Sequence, residues 1–295
     1  MKLRIKVPAT TSNLGSGFDT LGLAVDLFNE IEIVDNNGEP MSIDVIGKYG
    51  SSVGRNNLLL KTMKKFFEEN NREMIGYDIT EKCNIPPFRG LGSSATAVLG
   101  GLISSNEILH LNMSDEEIVN TAVALEGHPD NVLPAFFGGL VASSYADGVL
   151  HYASFPISKR WRFCFLVPNS KVSTHAARSC LPGFIPYKDA VFNLGHVALL
   201  LKGLMSGNED YIREGVKDRL HQQYRRPFNL LMDELSSMLK KMGAVATFLS
   251  GSGSTVCGIF AGDINIPREV FFKERDVKAY VQNVWMEGVK IKRWD

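Results

Sequence analysis

The 295-residue chain sets 32 Lys and Arg against 32 Asp and Glu, a formal net charge of zero. That balance excludes the broad basic face of a nucleic-acid binder and any general attraction to anionic membranes. An apolar share of 44% and a charged share of 22% describe an ordinary globular chain, long enough for a sizeable core and for two domains.

Lys2 to Val7 alternates polar and apolar residues and predicts a half-buried first strand. The segment from Ala9 to Gly22 is rich in small and amide residues and reads as a loop around Asn13 and Asp19. It is either an irregular connection or a substrate-facing turn. Strand-like runs follow at 23–34 and 41–46, separated by the turn signal Asp35-Asn36-Asn37-Gly38. Asn56 is a candidate N-cap for a helical pattern running from Leu58 through Phe66 and Phe67, which fades in the polar run 68–72.

The residues from Tyr77 to Ile85 predict a strand delivering the chain to Pro86-Pro87-Phe88-Arg89-Gly90-Leu91-Gly92-Ser93-Ser94-Ala95. Beyond that loop Val98, Leu99, Leu102, Ile103, Ile108 and Leu109 recur at helical spacing, so the glycines and serines stand at a helix start. Free N–H groups and the positive dipole end favour an anion there. Gly90 and Gly92 permit unusual φ values and close backbone approach. Ser93 or Ser94 is a candidate cap, and a remaining hydroxyl could reach a metal held by phosphates. Read locally, the loop is a plain N-cap or a phosphate cradle. It is neither a G-x-x-x-x-G-K-[ST] loop nor a G-x-G-x-x-G fingerprint.

Ser114 and Glu117 form a capping-box pattern. That helix runs into Glu126-Gly127-His128-Pro129-Asp130-Asn131, where Pro129 is expected to end it. The crowded polar groups are a capped turn, or Glu126 ligates Mg²⁺ while its neighbours address a substrate. The small residues of 137–142 predict a closely packed strand, and a domain boundary falls near Pro156, giving units 1–156 and 157–295.

In the second half 162–167 reads as a strand. Ser173, Thr174, His175 and Arg178 follow in a connection, and helical patterns cover about 190–205, 208–216 and 228–242. The polar run 218–227 contains Arg225 and Arg226 and is a solvated face unless something binds it. Two apolar runs meet at Ser250-Gly251-Ser252-Gly253-Ser254-Thr255, a turn with many free N–H groups, and a helix and strand are expected in 276–295. Cys83, Cys164, Cys180 and Cys257 are scattered without metal spacing, as in a reduced cytoplasmic protein. The sequence has neither a secretory h-region nor an 18-residue apolar run.

Four ordered motifs together resemble the GHMP small-molecule kinases. Arg89-Gly-Leu-Gly-Ser-Ser-Ala95 resembles their phosphate motif, and Ser250-Gly-Ser-Gly-Ser-Thr255 their C-terminal glycine motif. Asn13-Leu-Gly-Ser-Gly-Phe-Asp19 and Glu126-Gly-His-Pro-Asp-Asn131 resemble the homoserine-phosphorylating branch. The resemblance covers Val7 to about Ile259. It implies a two-domain α+β fold, with an N-terminal domain like the second domain of ribosomal protein S5 and a ferredoxin-like C-terminal domain.

The same resemblance implies ATP and Mg²⁺ as cofactors and L-homoserine as substrate, with neither a nucleic acid nor a membrane as partner. A homodimer is one assembly left open. Carried over by position, Pro86, Arg89, Gly90, Leu91, Gly92, Ser93, Ser94 and Ala95 cradle the triphosphate, with Gly251 and Gly253 beside them and Asn57 near the adenine. Ser94 and Glu126 match metal-holding positions; Asn13, Asp19, His128, Arg178 and Arg225 match substrate contacts.

The chemistry suits that set, because a zwitterion needs cations for its carboxylate and acceptors for its ammonium. Asn131 stands where related kinases carry a catalytic Asp, so transfer is expected to proceed by direct in-line attack, oriented by Asn13 and Asp19. Phe88, Ser254 and Thr96 depart from the family pattern; Phe88 would narrow the phosphate loop and Ser254 would loosen its turn. Rival readings are a kinase for another small alcohol and a ligand sensor without turnover.

Overall fold

The computed structural model describes residues 2–55, 57–265 and 267–294. In chain order the first half comprises β1 (Lys2–Asn13), β2 (Gly17–Pro40), β3 (Ser42–Ile46), α1 (Gly50–Val53), α2 (Leu58–Glu69), β4 (Ile75–Lys82), α3 (Ser93–Leu109), α4 (Asp115–Glu126), α5 (Pro129–Phe137), β5 (Leu140–Ala146) and β6 (Val149–Phe155). The second comprises β7 (Trp161–Pro168), α6 (Thr174–Ser179), α7 (Tyr187–Ser206), α8 (Glu209–Gly215), α9 (Gln222–Arg225), α10 (Met232–Lys241), β8 (Ala246–Leu249), β9 (Val256–Ala261), β10 (Glu269–Phe272), β11 (Val277–Gln282) and β12 (Lys290–Trp294). Among the described residues no helix is long and apolar enough to cross a membrane.

One sheet runs β12-β1-β2-β4-β3, with β5 and β6 continuing from the far end of β2; the other runs β10-β11-β7-β9-β8. Alternation in β1 turns Leu3, Ile5 and Val7 inward and leaves Lys2 and Arg4 outside, where Arg4 pairs with Glu32. The inward set packs under α2 to α5 through Leu99, Leu102 and Ile103 of α3, Val119 and Val123 of α4 and Leu133 of α5.

The second sheet is covered on both faces, so β7 is buried at nearly every position. Its Phe163 and Phe165 join a core that also holds Leu14, Leu21, Leu23 and Leu91 of the first half. Cys164 and Leu166 face α10 instead. One apolar cluster therefore spans both halves and fixes the seam between them.

Five expectations are corrected. Residues 9–13 and 17–22 are strand rather than loop; buried Thr10 and Ser12 bond Asn131, and Thr11 bonds Ser250 across the seam. The Asp35–Gly38 signal is a kink with Asn37 and Gly38 at positive φ, and β2 resumes pairing at Pro40. α4 ends at Glu126 with Gly127 as its left-handed C-cap, and Pro129 instead starts α5, at whose first position its missing N–H costs nothing. The tail holds β11 and β12 rather than a helix and strand, and β12 crosses back to pair with β1. Asn57 caps α2 through a bond from Leu60 N; Asn56, the expected cap, lies outside the described residues. The Ser114 capping box is present as read.

The glycines of β2 and of 137–142 mark close packing. Gly138 abuts Met286 and Gly288, and Gly139 N–H bonds Trp285 O at 2.7 Å. A Cβ on Gly22 would stand 1.8 Å from the Asp130 carbonyl, a backbone atom that cannot swing aside. Gly22→Ala should therefore lower stability by about 1–3 kcal/mol through overpacking. Gly183→Ala, where nothing lies within 4 Å, should stay within about 0.5 kcal/mol. Urea midpoints measure both; equal midpoints would contradict this packing.

Candidate active site

A cavity of about 730 Å³ opens where the β4–α3 loop, the β1–β2 turn, the end of α4 and the β8–β9 turn converge. Asn29 anchors the loop: its Oδ1 accepts from Asn84 N and Ile85 N at 2.8 and 3.0 Å, and its Nδ2 donates to Thr96 at 3.0 Å. Gly90 and Gly92 adopt φ of +73° and +68°. Their crowding comes from the protein itself. A Cβ on Gly90 would sit 2.0 Å from Ser250 O, and one on Gly92 1.9 Å from Thr10 Oγ1.

Gly92 is the N-cap of α3, and no side chain caps the first turn, so neither Ser93 nor Ser94 fills the capping role expected for them. The first-turn N–H groups thus remain for a ligand on the cavity wall. Arg89 supports the loop with its side chain. Its buried guanidinium donates to Pro168 O, Pro87 O and Asn169 O at 2.8–3.0 Å and staples the loop to the end of β7, leaving only its backbone for a phosphate. Phe88 is 61% exposed beneath Lys171 and lines the cavity beside the loop. Ser254 is buried and donates to Ser170 O at 2.6 Å, so its turn is tied down rather than loosened.

Asn13 ends β1 and Asp19 lies near the start of β2, both at positive φ on either side of the short turn between the strands. The Asn13 amide braces that turn, accepting from Asp19 N at 3.0 Å and donating to Gly251 O at 3.0 Å. Asp19 holds Arg178 of α6 through two bonds of 2.7 and 2.9 Å. The Asp19 hydrogen bond raises the Arg178 pKa, against a smaller opposing effect of burial. Arg225, buried beside them, donates from Nε to Ala177 O at 3.1 Å and from Nη1 to Gly251 O at 2.9 Å.

At the end of α4, Glu126 Oε1 accepts from Ser94 Oγ at 2.5 Å. Burial raises the Glu126 pKa, more than the Ser94 bond and His128 lower it. His128 Nδ1 lies 2.8 Å from Asp130 Oδ1. Burial lowers the imidazole's pKa, but the Asp130 carboxylate outweighs it and the net direction is up. Asp130 itself is buried, which pushes its pKa up, yet the His128 contact carries it below the ordinary range. Asn131 accepts from Thr10 Oγ1 at 2.8 Å and donates to Ser12 Oγ at 3.1 Å, and as an amide it takes no proton.

All the site residues carried over by position lie on this one wall except Pro86 and Gly253, which are buried behind it. Asn57 stands at the far end, donating to Glu81 Oε2 at 2.5 Å. Glu81, Lys61 and Cys83 line that end and were missed. A signal for Glu81 existed: period two along β4 places this carboxylate between inward Ile79 and Cys83. Burial raises its pKa. Among the described residues no cluster of three His, Cys, Asp or Glu could hold a metal ion alone. Ser94 and Glu126 nonetheless suit Mg²⁺, which takes one or two protein oxygens and completes its shell with phosphates and water.

The family model for the GHMP kinase N-terminal domain matches residues 57–139, and that for the GHMP kinase C-terminal domain matches 197–273. A homoserine kinase from Petrotoga mobilis is 40% identical over 295 residues, covering 98% of this chain and 96% of that protein. One from Clostridium acetobutylicum is 37% identical, covering 87% of each. The crystal structure of homoserine kinase from Cytophaga hutchinsonii shares the fold, with a TM-score of 0.81, 23% identity, and coverage of 99% and 97%. Two family domains in order, with relatives matching nearly end to end, place the chain in the GHMP kinase family, among the homoserine kinases.

Proposed function

We propose that the chain transfers the γ-phosphoryl group of ATP to L-homoserine, giving O-phospho-L-homoserine for threonine biosynthesis. It is an ATP-dependent small-molecule kinase that acts with Mg²⁺. One observation carries the substrate reading: a single wall joins an uncapped helix N-terminus to an acid flanked by two arginines. The first feature suits a triphosphate. The second suits a zwitterion, with Asp19 accepting from the ammonium and Arg178 and Arg225 facing the carboxylate.

The nucleotide would lie along Gly90–Ala95 with its base toward Asn57. Ser94 and Glu126 would hold the Mg²⁺, which when bound offsets charge on the phosphate oxygens. Asn13, by bracing Asp19 against Gly251, keeps the substrate turn in register with the loop. His128, whose Nδ1 lies 2.8 Å from Asp130 Oδ1, lines the same cavity and is placed to contact the substrate. The homoserine hydroxyl then attacks the γ-phosphorus in line, its O–P bond forming as the bond to ADP breaks. In a loose transition state the hydroxyl keeps its proton until late and then yields it to an oxygen of the transferred phosphoryl group or to water, so Asn131 serves for alignment and no strong base is required. We take 1–156 and 157–295 as the two functional units, in a cytoplasmic enzyme without nucleic-acid or membrane partners. The four free cysteines support the cytoplasmic placement.

Coupled ADP release with L-homoserine, mevalonate and galactose tests the substrate: only L-homoserine should be turned over efficiently, and comparable rates with another alcohol would overturn the reading. Asp19→Asn should lower kcat/KM for L-homoserine about 10–100-fold, the loss of a hydrogen bond to a charged partner, while ATP binding holds. Glu126→Gln should cost roughly 10²-fold or more in kcat. The Glu126 pKa is raised, so its metal-binding carboxylate form gives way on acidification at a higher pH than an ordinary carboxylate. The Mg²⁺ concentration for half-maximal rate should therefore rise as pH falls, and this rise should be smaller in Glu126→Gln, where only the protonation of ATP itself remains.

A further inference from the structure

The polar run 218–227 contributes more than one arginine to the site. His221 is wholly buried, and its ring stacks on Phe18 with centroids 5.1 Å apart. Nε2 lies 2.9 Å from the Gly15 carbonyl oxygen, and Nδ1 lies 3.3 Å from Arg225 Nη1. A carbonyl only accepts and a guanidinium only donates, so these neighbours require the neutral tautomer with its proton on Nε2. Asp218, the nearest carboxylate, is 3.6 Å from Nε2, beyond hydrogen-bond reach. It is occupied by Leu220 N, His221 N, Gln222 N and Asn193 Nδ2.

We propose that His221 is a positioning residue that sets the Arg225 guanidinium toward the substrate carboxylate and ties it to the turn bearing Asn13 and Asp19. The inference rests on the homoserine reading and extends it to a residue away from the cavity wall. Arg225 is tethered at Nε by Ala177 O and at Nη1 by Gly251 O and His221, so among the described residues only Nη2 lacks a protein partner. The guanidinium carbon also sits 5.1 Å from the centre of the Phe18 ring, on which His221 stacks. One imidazole thus links the arginine to residues 15 and 18 of the substrate turn. Burial lowers the His221 pKa and Arg225 adds to it, and together they outweigh the opposite pull of Asp218, Gly15 O and Asp19, in keeping with a neutral ring.

The test uses steady-state kinetics of full-length His221→Asn, His221→Gln and His221→Leu beside the unaltered enzyme. Asn offers an acceptor where Nδ1 stood, whereas Gln reaches Gly15 and Leu does neither. KM for L-homoserine should rise about ten-fold in the Leu variant, which keeps neither bond, and less in Asn and Gln, which each keep one, with KM for ATP moving less than about two-fold. An unchanged KM in His221→Leu, or equal rises for both substrates in all three, would overturn the proposal.

If the variants fail to fold, imidazole ¹⁵N NMR of the unaltered protein decides. A neutral ring protonated at Nε2, with its Nδ1 signal moving when L-homoserine is added, supports the proposal; the other tautomer, or a still signal, overturns it. Unaltered enzyme that ignores L-homoserine would contradict the functional reading instead, and the tautomer would still be read.

Discussion

The close meeting of three backbone segments organises this protein. The β4–α3 loop is pressed between β1 and the β8–β9 turn: Thr10 N donates to Leu91 O at 3.2 Å, and Ser250 Oγ donates to Gly90 O at 2.6 Å. Neither glycine tolerates a Cβ, because main-chain or side-chain oxygens already occupy that space. The arrangement turns the first-turn amides of α3 toward the cavity and pins them there. A preformed set of N–H donors needs no reorganisation when charge develops on a phosphoryl group. The seam that joins the halves is thus also what shapes the phosphate loop.

The chain has no net charge, yet it concentrates opposed charges at one place. Asp19 of β2 pairs with Arg178 of α6, and His128 with Asp130 at the start of α5, so each acidic member has a cationic or hydrogen-bonding partner. Glu126 differs: burial raises its pKa, and its visible partner is a neutral hydroxyl. A carboxylate left short of positive charge beside an anion-binding helix start is chemically suited to a cation arriving with the phosphates.

Much of this was legible in the sequence. Helical periodicity after Ala95 and the Ser114–Glu117 pair marked α3 and α4, because both signals are local. The glycine and amide motifs brought nearly the whole wall into view. What stayed hidden depends on contacts between residues far apart in sequence. Thr10, Thr11 and Ser12 look like loop residues because nothing nearby shows that Asn131 and Ser250 will satisfy them inside a strand. Arg89 carries the charge expected of a phosphate ligand, and only the position of 168 and 169 shows that its donors are occupied. The return of β12 to β1 follows from a pairing partner nearly 290 residues away.

A crystal of the protein with Mg²⁺ and a non-hydrolysable ATP analogue tests the central claim most directly. The account predicts the β- and γ-phosphates within hydrogen-bond distance of the Gly90–Ser94 amides, the metal beside Ser94 and Glu126, and the base toward Asn57. A nucleotide bound elsewhere, or phosphates held by side chains with those amides unused, would contradict it.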